Sequence, residues 1–323
     1  MNRLARWWFA PAPPERLAAL RIAVGGFAVI WMIARLPEVI AVARLPATEL
    51  APVGVIRVLD APLPVPIAAA IAVATVAALA AFTVGWWSRA SAPLAALGAL
   101  WTLSYRSSWG MVFHTDNLVV LHVIGLAFAP AADAWALGPR GERGDERAGP
   151  GPRGERDERQ GRPAAGHGWA IKLLAAVTCA TYLLAGIAKL RLAGFAWIDG
   201  AQLRNQIAID HLRKALLGAS VAPLARPLVG HPDGLIALAL LALGIELGAP
   251  LALIGGRVAW IWAGSAWAFH VGVVLVMNVW FPYPLAGVAF LPLVDAERVA
   301  RSVTVLGARG WRWWWGMPGR RRR

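Results

Sequence analysis

Seven long apolar runs constrain this chain more than any other feature of its sequence. An α-helix rises about 1.5 Å per residue, so roughly 20 apolar residues cross a hydrocarbon core of about 30 Å. The 323 residues are 58% hydrophobic, with a mean hydropathy of +0.56, whereas soluble domains are about 45–50% apolar. We therefore predict an all-α, polytopic transmembrane helical bundle with spans at 17–36, 66–87, 92–106, 117–136, 169–190, 235–254 and 258–278.

An eighth apolar segment, 280–294, is short and contains three prolines. It is a full crossing or a broken, re-entrant segment, so the bundle is predicted to have about seven or eight spans. The sequence alone does not choose between these two forms.

Positive charge predicts how the bundle is oriented. The chain carries a formal net charge of +14, and its arginines lie mostly in loops and tails. This distribution argues against nucleic-acid binding and fits the excess of Lys and Arg on the cytoplasmic side of membrane proteins. Arg3, Arg6 and Arg16 place the N-terminus in the cytoplasm. The protein is thus predicted to be a multi-pass protein of a cell membrane, in a bacterium the inner membrane.

Composition divides the chain into four parts. Residues 1–137 form an N-terminal block of four spans, and 138–168 form a charged linker with the composition of disorder. Residues 169–295 hold the remaining spans together with an amphipathic helix predicted to lie on the outer surface. Residues 296–323 form a basic, Trp-rich tail. The leucines and isoleucine that mark the amphipathic helix are Leu203, Ile207, Leu212 and Leu216.

Polar residues inside the predicted spans are the candidates for function, because an ionisable group at membrane depth costs about 2.5–3.5 kcal/mol on insertion scales. For Arg21 and Lys172, near span starts, we expect snorkelling to the interface instead. The sequence has no metal-binding motif, and its single cysteine excludes a CxxC site. The remaining candidates are His114, His122, Lys189, Glu246, His270 and Asn278.

Lys189 is the sharpest of these candidates. It ends an apolar run, YLLAGIA, at residues 182–188. Desolvation disfavours an ammonium, so a lysine inside an apolar helix end can serve as a neutral general base. The alternative is an interfacial lysine that stays protonated and points to the headgroups. His122 and His270 have a similar alternative, as interior histidines bonded to a neighbouring helix.

Three stretches resemble the HTTM family, which includes the vitamin K-dependent gamma-glutamyl carboxylases. YLLAGIAKLRLAGFAWIDGAQL (182–203) is similar to the pattern Y-x-x-A-G-x-x-K-L followed by W-x-x-G. Residues 107–137 resemble the S-W and His segment followed by a helix and an aspartate. Residues 245–292 resemble paired helices with an internal Glu and His and a following Phe-Pro. The resemblance covers most of residues 12–295.

The resemblance implies a quinol-dependent activity of the lyase class. Lys189 matches the proposed base that deprotonates vitamin K hydroquinone, and His114 matches the assisting histidine. The cofactor would be reduced vitamin K or menaquinone, with no metal. In the carboxylases, oxygen chemistry on this cofactor drives proton removal from a glutamate γ-carbon, to which carbon dioxide adds. The pocket is expected to include Tyr182, Trp197, Glu246, His270 and Asn278.

The partners implied are the lipid bilayer, a quinone, and a protein or peptide substrate on the outer face. The carboxylases also continue into a large extramembrane domain, and this chain is not expected to contain it. Its glutamate substrate is therefore absent, supplied through a partner, or replaced by another acceptor.

Two other functions compete with this one. A non-catalytic membrane scaffold would direct Lys189 to the headgroups. A small-solute transporter would line a polar path with Glu246, His270 and Asn278, and transporters usually show inverted repeats, which this sequence lacks.

Overall fold

The computed structural model describes residues 2–137 and 164–300, and these residues form helices and connecting turns. A single antiparallel bridge joins Ala12 and Ala164. The α-helices in chain order are α1 (Arg3–Trp8), α2 (Pro14–Val42), α3 (Val65–Val84), α4 (Ser88–Ser107), α5 (His114–Ala127), α6 (Ala165–Ala193), α7 (Phe195–Ile198), α8 (Ala201–Leu216), α9 (Ala225–Val229), α10 (Pro232–Leu247), α11 (Gly256–Met277) and α12 (Pro282–Leu285). Short 3₁₀ segments occupy Ala47–Glu49, Gly54–Val58, Ala249–Ile254 and Val288–Leu293.

Four helices of the described residues, α2, α3, α6 and α11, are long and apolar enough to cross a membrane. The prediction of an all-helical protein that contains helices able to span a membrane is confirmed at this level. The predicted span 92–106 falls within α4, a 20-residue helix. The span 235–254 is divided between α10 and a 3₁₀ segment, and α5 ends at Ala127, well short of the predicted 136.

The bounds of α2 and α6 also differ from the predicted ones. α2 continues beyond Pro37 to Val42, although the span was predicted to end at Leu36. The buried Val39 and the contact between Glu38 and Arg106 of α4 hold its last turns to the bundle. α6 begins at Ala165, inside the predicted linker. Residues 138–163 of that linker, and the tail from residue 301, lie outside the described residues.

Arg21 is buried in the core, so the expectation that it snorkels to the interface is wrong. Its side chain is only 1% exposed, and its guanidinium donates to the carbonyl oxygens of Thr83, Ala131 and Trp135 at 2.6–3.2 Å. The reason is the early end of α5: the chain beyond it turns back without forming a helix. The backbone carbonyl groups of this segment are not used in helical hydrogen bonds, so they can accept hydrogen bonds from the Arg21 guanidinium.

The predicted amphipathic helix is present as α8. Ile207 is buried, and Leu203 packs against the same small cluster. Leu212 and Leu216, expected on that same apolar face, are instead 59% and 78% exposed. The face turned to the bundle is therefore narrower than the four residues suggested.

Candidate functional site

A close crossing of α6 and α10 creates the candidate site. A Cβ added to Gly186 would lie 2.9 Å from Leu247 Cδ2 and 3.0 Å from Glu246 Cβ. Such contacts leave little room for a side chain, so glycine lets the two helices approach closely here. One helical turn later on α6 stands Lys189, on the same face as Gly186. The spacing G-x-x-K thus brings a lysine to the carboxylate of the neighbouring helix.

Lys189 and Glu246 form an ion pair at this crossing. Lys189 Nζ donates to Glu246 Oε1, and the two side chains are 23% and 4% exposed. The indole ring of Trp197 lies over the amine, with its centroid 5.1 Å from Nζ. Lys189 therefore points into the protein, with its amine between a carboxylate oxygen and an aromatic face.

The second oxygen of Glu246 differs from the first. Oε2 is fully buried, and the described residues offer it no hydrogen-bond donor. A buried polar atom without a partner typically costs about 1–3 kcal/mol, more when it is charged. Such an atom in a native structure calls for an explanation, and catalytic and binding sites are among the recognised ones.

Tyr182 extends the site along α6, one turn before Gly186. Its hydroxyl lies 2.6 Å from His270 Nε2 of α11. The Tyr182 ring meets Trp262 edge-on at 5.1 Å and Phe290 at 6.1 Å. The surroundings are therefore aromatic, with His270 Nδ1 as a second buried polar atom that has no partner among the described residues.

His122 is an interior histidine that hydrogen-bonds to neighbouring helices, which was the alternative to a functional role in the sequence analysis. The Thr178 hydroxyl donates to the Ala289 carbonyl oxygen at 3.0 Å, so it accepts from His122 Nε2 at 3.1 Å. His122 Nδ1 is then left to accept from the Tyr283 hydroxyl at 2.6 Å. Both ring nitrogens are satisfied in a fully buried position. His122 is thus a neutral link between three parts of the bundle.

The remaining predicted site residues lie apart from the pair or outside the described side chains. His114 is the first residue of α5, and its side chain is not among those described. Thr178 meets His122, and Leu174 lies beside Gly125, so α5 and α6 are antiparallel, and the helix ends that carry His114 and Lys189 lie at the same end of the bundle. Asn278 caps α11 and donates to the Ser220 carbonyl oxygen at 2.9 Å.

A second buried charge cluster, which the sequence analysis missed, lies at this same end. Arg106, in the last turn of α4, donates to Asp116 Oδ2 at 2.5 Å and to Glu38 Oε2 at 2.9 Å. Trp31 Nε1 donates to the other oxygen of Asp116 at 2.8 Å. We call Arg106, Asp116, Glu38 and Trp31 the α4–α5 clamp. The sequence did not reveal this contact. Arg106 and Asp116 lie on different helices, on either side of a turn, and no periodic pattern relates their positions.

The described side chains contain no group of three His, Cys, Asp or Glu residues able to hold a metal ion. What they offer near Lys189 is an ammonium, a buried carboxylate oxygen and aromatic walls. This set matches an aromatic molecule that carries a hydroxyl group, since the oxygen accepts from the hydroxyl and the rings stack on the aromatic body.

Comparison with known proteins adds no assignment: no protein-family model matches the chain, and no similar protein was found among curated sequences or solved structures.

Proposed function

We propose that this protein binds a reduced lipid quinone in its helical bundle and uses the Lys189–Glu246 pair to take up the quinol proton. The observation that carries the proposal is the buried pair itself, set beside Tyr182 and under Trp197 at one end of the bundle. When bound, a reduced quinone supplies a hydroxyl proton and two electrons, and with oxygen it supports carboxylase or epoxidase chemistry. The chain's part is to hold the hydroxyl, accept its proton and keep water away.

The position of Lys189 separates this proposal from its competitors. A scaffold would direct the amine to the headgroups, whereas the amine here is turned inward to Glu246. A transporter would line one path with Glu246, His270 and Asn278. Each of these three has a different partner: Lys189, Tyr182 and the Ser220 carbonyl oxygen.

We further propose that the bundle crosses the membrane seven or eight times with its N-terminus in the cytoplasm, in a bacterial inner membrane. α4 is 20 residues long, and α10 with the following 3₁₀ segment covers 232–254, each enough for about 30 Å or slightly more as helix. This orientation puts Lys189 at the outer side, where a protein or peptide substrate would be carboxylated.

A turnover assay tests the proposal. The purified protein is incubated in detergent with reduced menaquinone or vitamin K, oxygen and bicarbonate, and the quinone epoxide is measured. Wild type should form epoxide, and Lys189→Ala should lower its rate about a hundredfold or more, because the pair loses the cation that stabilises the developing oxyanion. Lys172→Ala is the control, because Lys172 lies 17 residues earlier on α6, roughly 25 Å away. An unchanged rate in Lys189→Ala contradicts the role of the pair, and no epoxide from a folded wild type favours the scaffold.

A further inference from the structure

We infer that Glu246, through its Oε2 atom, is the proton acceptor of this site, and that Lys189 stays protonated as its positive neighbour. This deepens the proposed function, on which it rests for the ligand class. It also departs from the role of Lys189 as a neutral base that the family resemblance implies.

The surroundings of Lys189 hold its proton in place. Nζ donates to a carboxylate oxygen on one side and lies below the Trp197 ring on the other. Both contacts, to a carboxylate oxygen and to an aromatic face, are those that a cation makes. An ammonium has three protons to give and no lone pair to accept one, so in this arrangement the lysine cannot act as the base.

Glu246 has the free acceptor that Lys189 lacks. Oε1 is occupied by Nζ, while Oε2 is buried and has no donor among the described residues. Burial removes the water that would otherwise stabilise negative charge on this oxygen, so an incoming hydroxyl group is bound and polarised strongly there. Gly186 is what allows this carboxylate to sit against α6.

The proton transfer is balanced in both charge and bonds. The O–H bond of the ligand breaks, its electron pair stays on the ligand oxygen, and a new O–H bond forms at Glu246 Oε2. The ion pair of Lys189 and Glu246 becomes an ion pair of Lys189 and the ligand oxyanion. Lys189 thereby stabilises the product of the step, as positioned cations do for developing anions.

The ligand class follows from what surrounds the oxygen. Ile187 follows Gly186 in the chain and Leu247 follows Glu246, and their side chains are 37% and 36% exposed. Both side chains are apolar, so the surface of the bundle beside the pair is apolar as well. The matching ligand is an apolar aromatic alcohol, because this surface is apolar, the Trp197 ring lies beside the pair and Oε2 accepts one hydroxyl proton.

Binding of 1-naphthol tests the inference without turnover. This probe has an aromatic body and a single hydroxyl, and its ionised form has a distinct absorbance spectrum. It is added to the detergent-solubilised full chain near neutral pH, and the ionised fraction of bound probe is compared between variants. Glu246→Gln tests the acceptor, and Glu49→Gln is the matched control, since Glu49 is exposed and lies outside the site.

Lys189→Arg separates the two roles, because a guanidinium keeps the positive charge but cannot act as a base in a protein. We expect wild type, Glu49→Gln and Lys189→Arg to ionise the probe. Glu246→Gln should lower the ionised fraction roughly tenfold, equivalent to one unit in the transfer equilibrium.

Two results overturn the inference: ionisation that survives Glu246→Gln but is lost in Lys189→Arg, or no ionised probe on wild type. If Glu246→Gln does not fold, Lys189→Arg still decides between amine and carboxylate. Absence of epoxide in the turnover assay leaves this test intact, because 1-naphthol is ionised here without being oxidised.

Discussion

Two buried ion pairs lie at the same end of the bundle and differ in how completely they are satisfied. In the α4–α5 clamp, both oxygens of Asp116 are engaged, by Arg106 and by Trp31. In the Lys189–Glu246 pair, only one carboxylate oxygen has a donor among the described residues. A closed pair fixes the positions of helices, whereas an open pair keeps an acceptor for a ligand. Burial of charge alone therefore does not identify a site.

Breaking the clamp should give the largest effect on stability. Arg106→Met leaves Asp116 as an uncompensated buried carboxylate, and removal of one partner of such a pair typically costs about 3–5 kcal/mol. The measurement is the free energy of unfolding of the purified protein in a detergent-denaturant titration. The double variant Arg106→Met/Asp116→Asn should recover most of the loss. A single variant as stable as wild type would mean that the clamp is not a closed structural element.

Separating α6 from α10 should give the next largest effect. Gly186→Ala places a Cβ 2.9–3.0 Å from Leu247 and Glu246, and forced overpacking of this kind costs about 1–3 kcal/mol. The control is Gly264→Ala on α11, where an added Cβ meets nothing within 4 Å. There the helix should gain up to about 1 kcal/mol from the better helix former. Equal responses in the two variants would contradict a close crossing at Gly186.

The open pair should tolerate loss of its charge better than the clamp. Glu246→Gln keeps an acceptor for Nζ, removes a carboxylate with an unpartnered oxygen, and leaves Lys189 23% exposed. We expect a change in unfolding free energy below about 1.5 kcal/mol, within the range of one hydrogen bond, measured in the same titration. A loss as large as that in Arg106→Met would show that this pair is also structural.

The smallest effect is expected at the partly buried pair of Asp210 and Lys214, which lies outside the spans. Partial burial acts to raise the pKa of Asp210, but hydrogen bonds and charge from Lys214 and Arg213 outweigh it and hold the pKa below its usual value. Such a group contributes stability above its unfolded pKa, and this is lost as the pH falls through the folded pKa. Asp210→Asn should cost at most about 1 kcal/mol near neutral pH. The difference from wild type should vanish in acid, and one that grows there would contradict the assignment.

The contrast between the two pairs also explains what the sequence could predict. Lys189 stood out because it ends an apolar run inside a long helix, and a 3.6-residue period then places Gly186 and Tyr182 on the same face. Its partner Glu246 was a candidate by the same reasoning. The pairing itself depends on which helices are neighbours, which no local pattern reveals.

The contacts of the clamp and of Arg21 could not be predicted from the sequence, for a related reason. Arg106 and Asp116 sit at helix ends, where charges are ordinary in membrane proteins. The partners of Arg21 are backbone carbonyls, which no residue type marks. The role of His122 was easier to predict. Its neighbours in the sequence are apolar, so the simplest role for a histidine there is to hydrogen-bond to a neighbouring helix.

The most direct test of the open pair is an infrared difference spectrum of the full chain on addition of 1-naphthol. If Glu246 takes the ligand proton, a protonated-carboxyl band appears in wild type, persists in Lys189→Arg and is missing in Glu246→Gln. The clamp carboxylate of Asp116 should contribute nothing to it. A spectrum without such a band while the probe is bound and ionised would place the proton elsewhere and contradict the account.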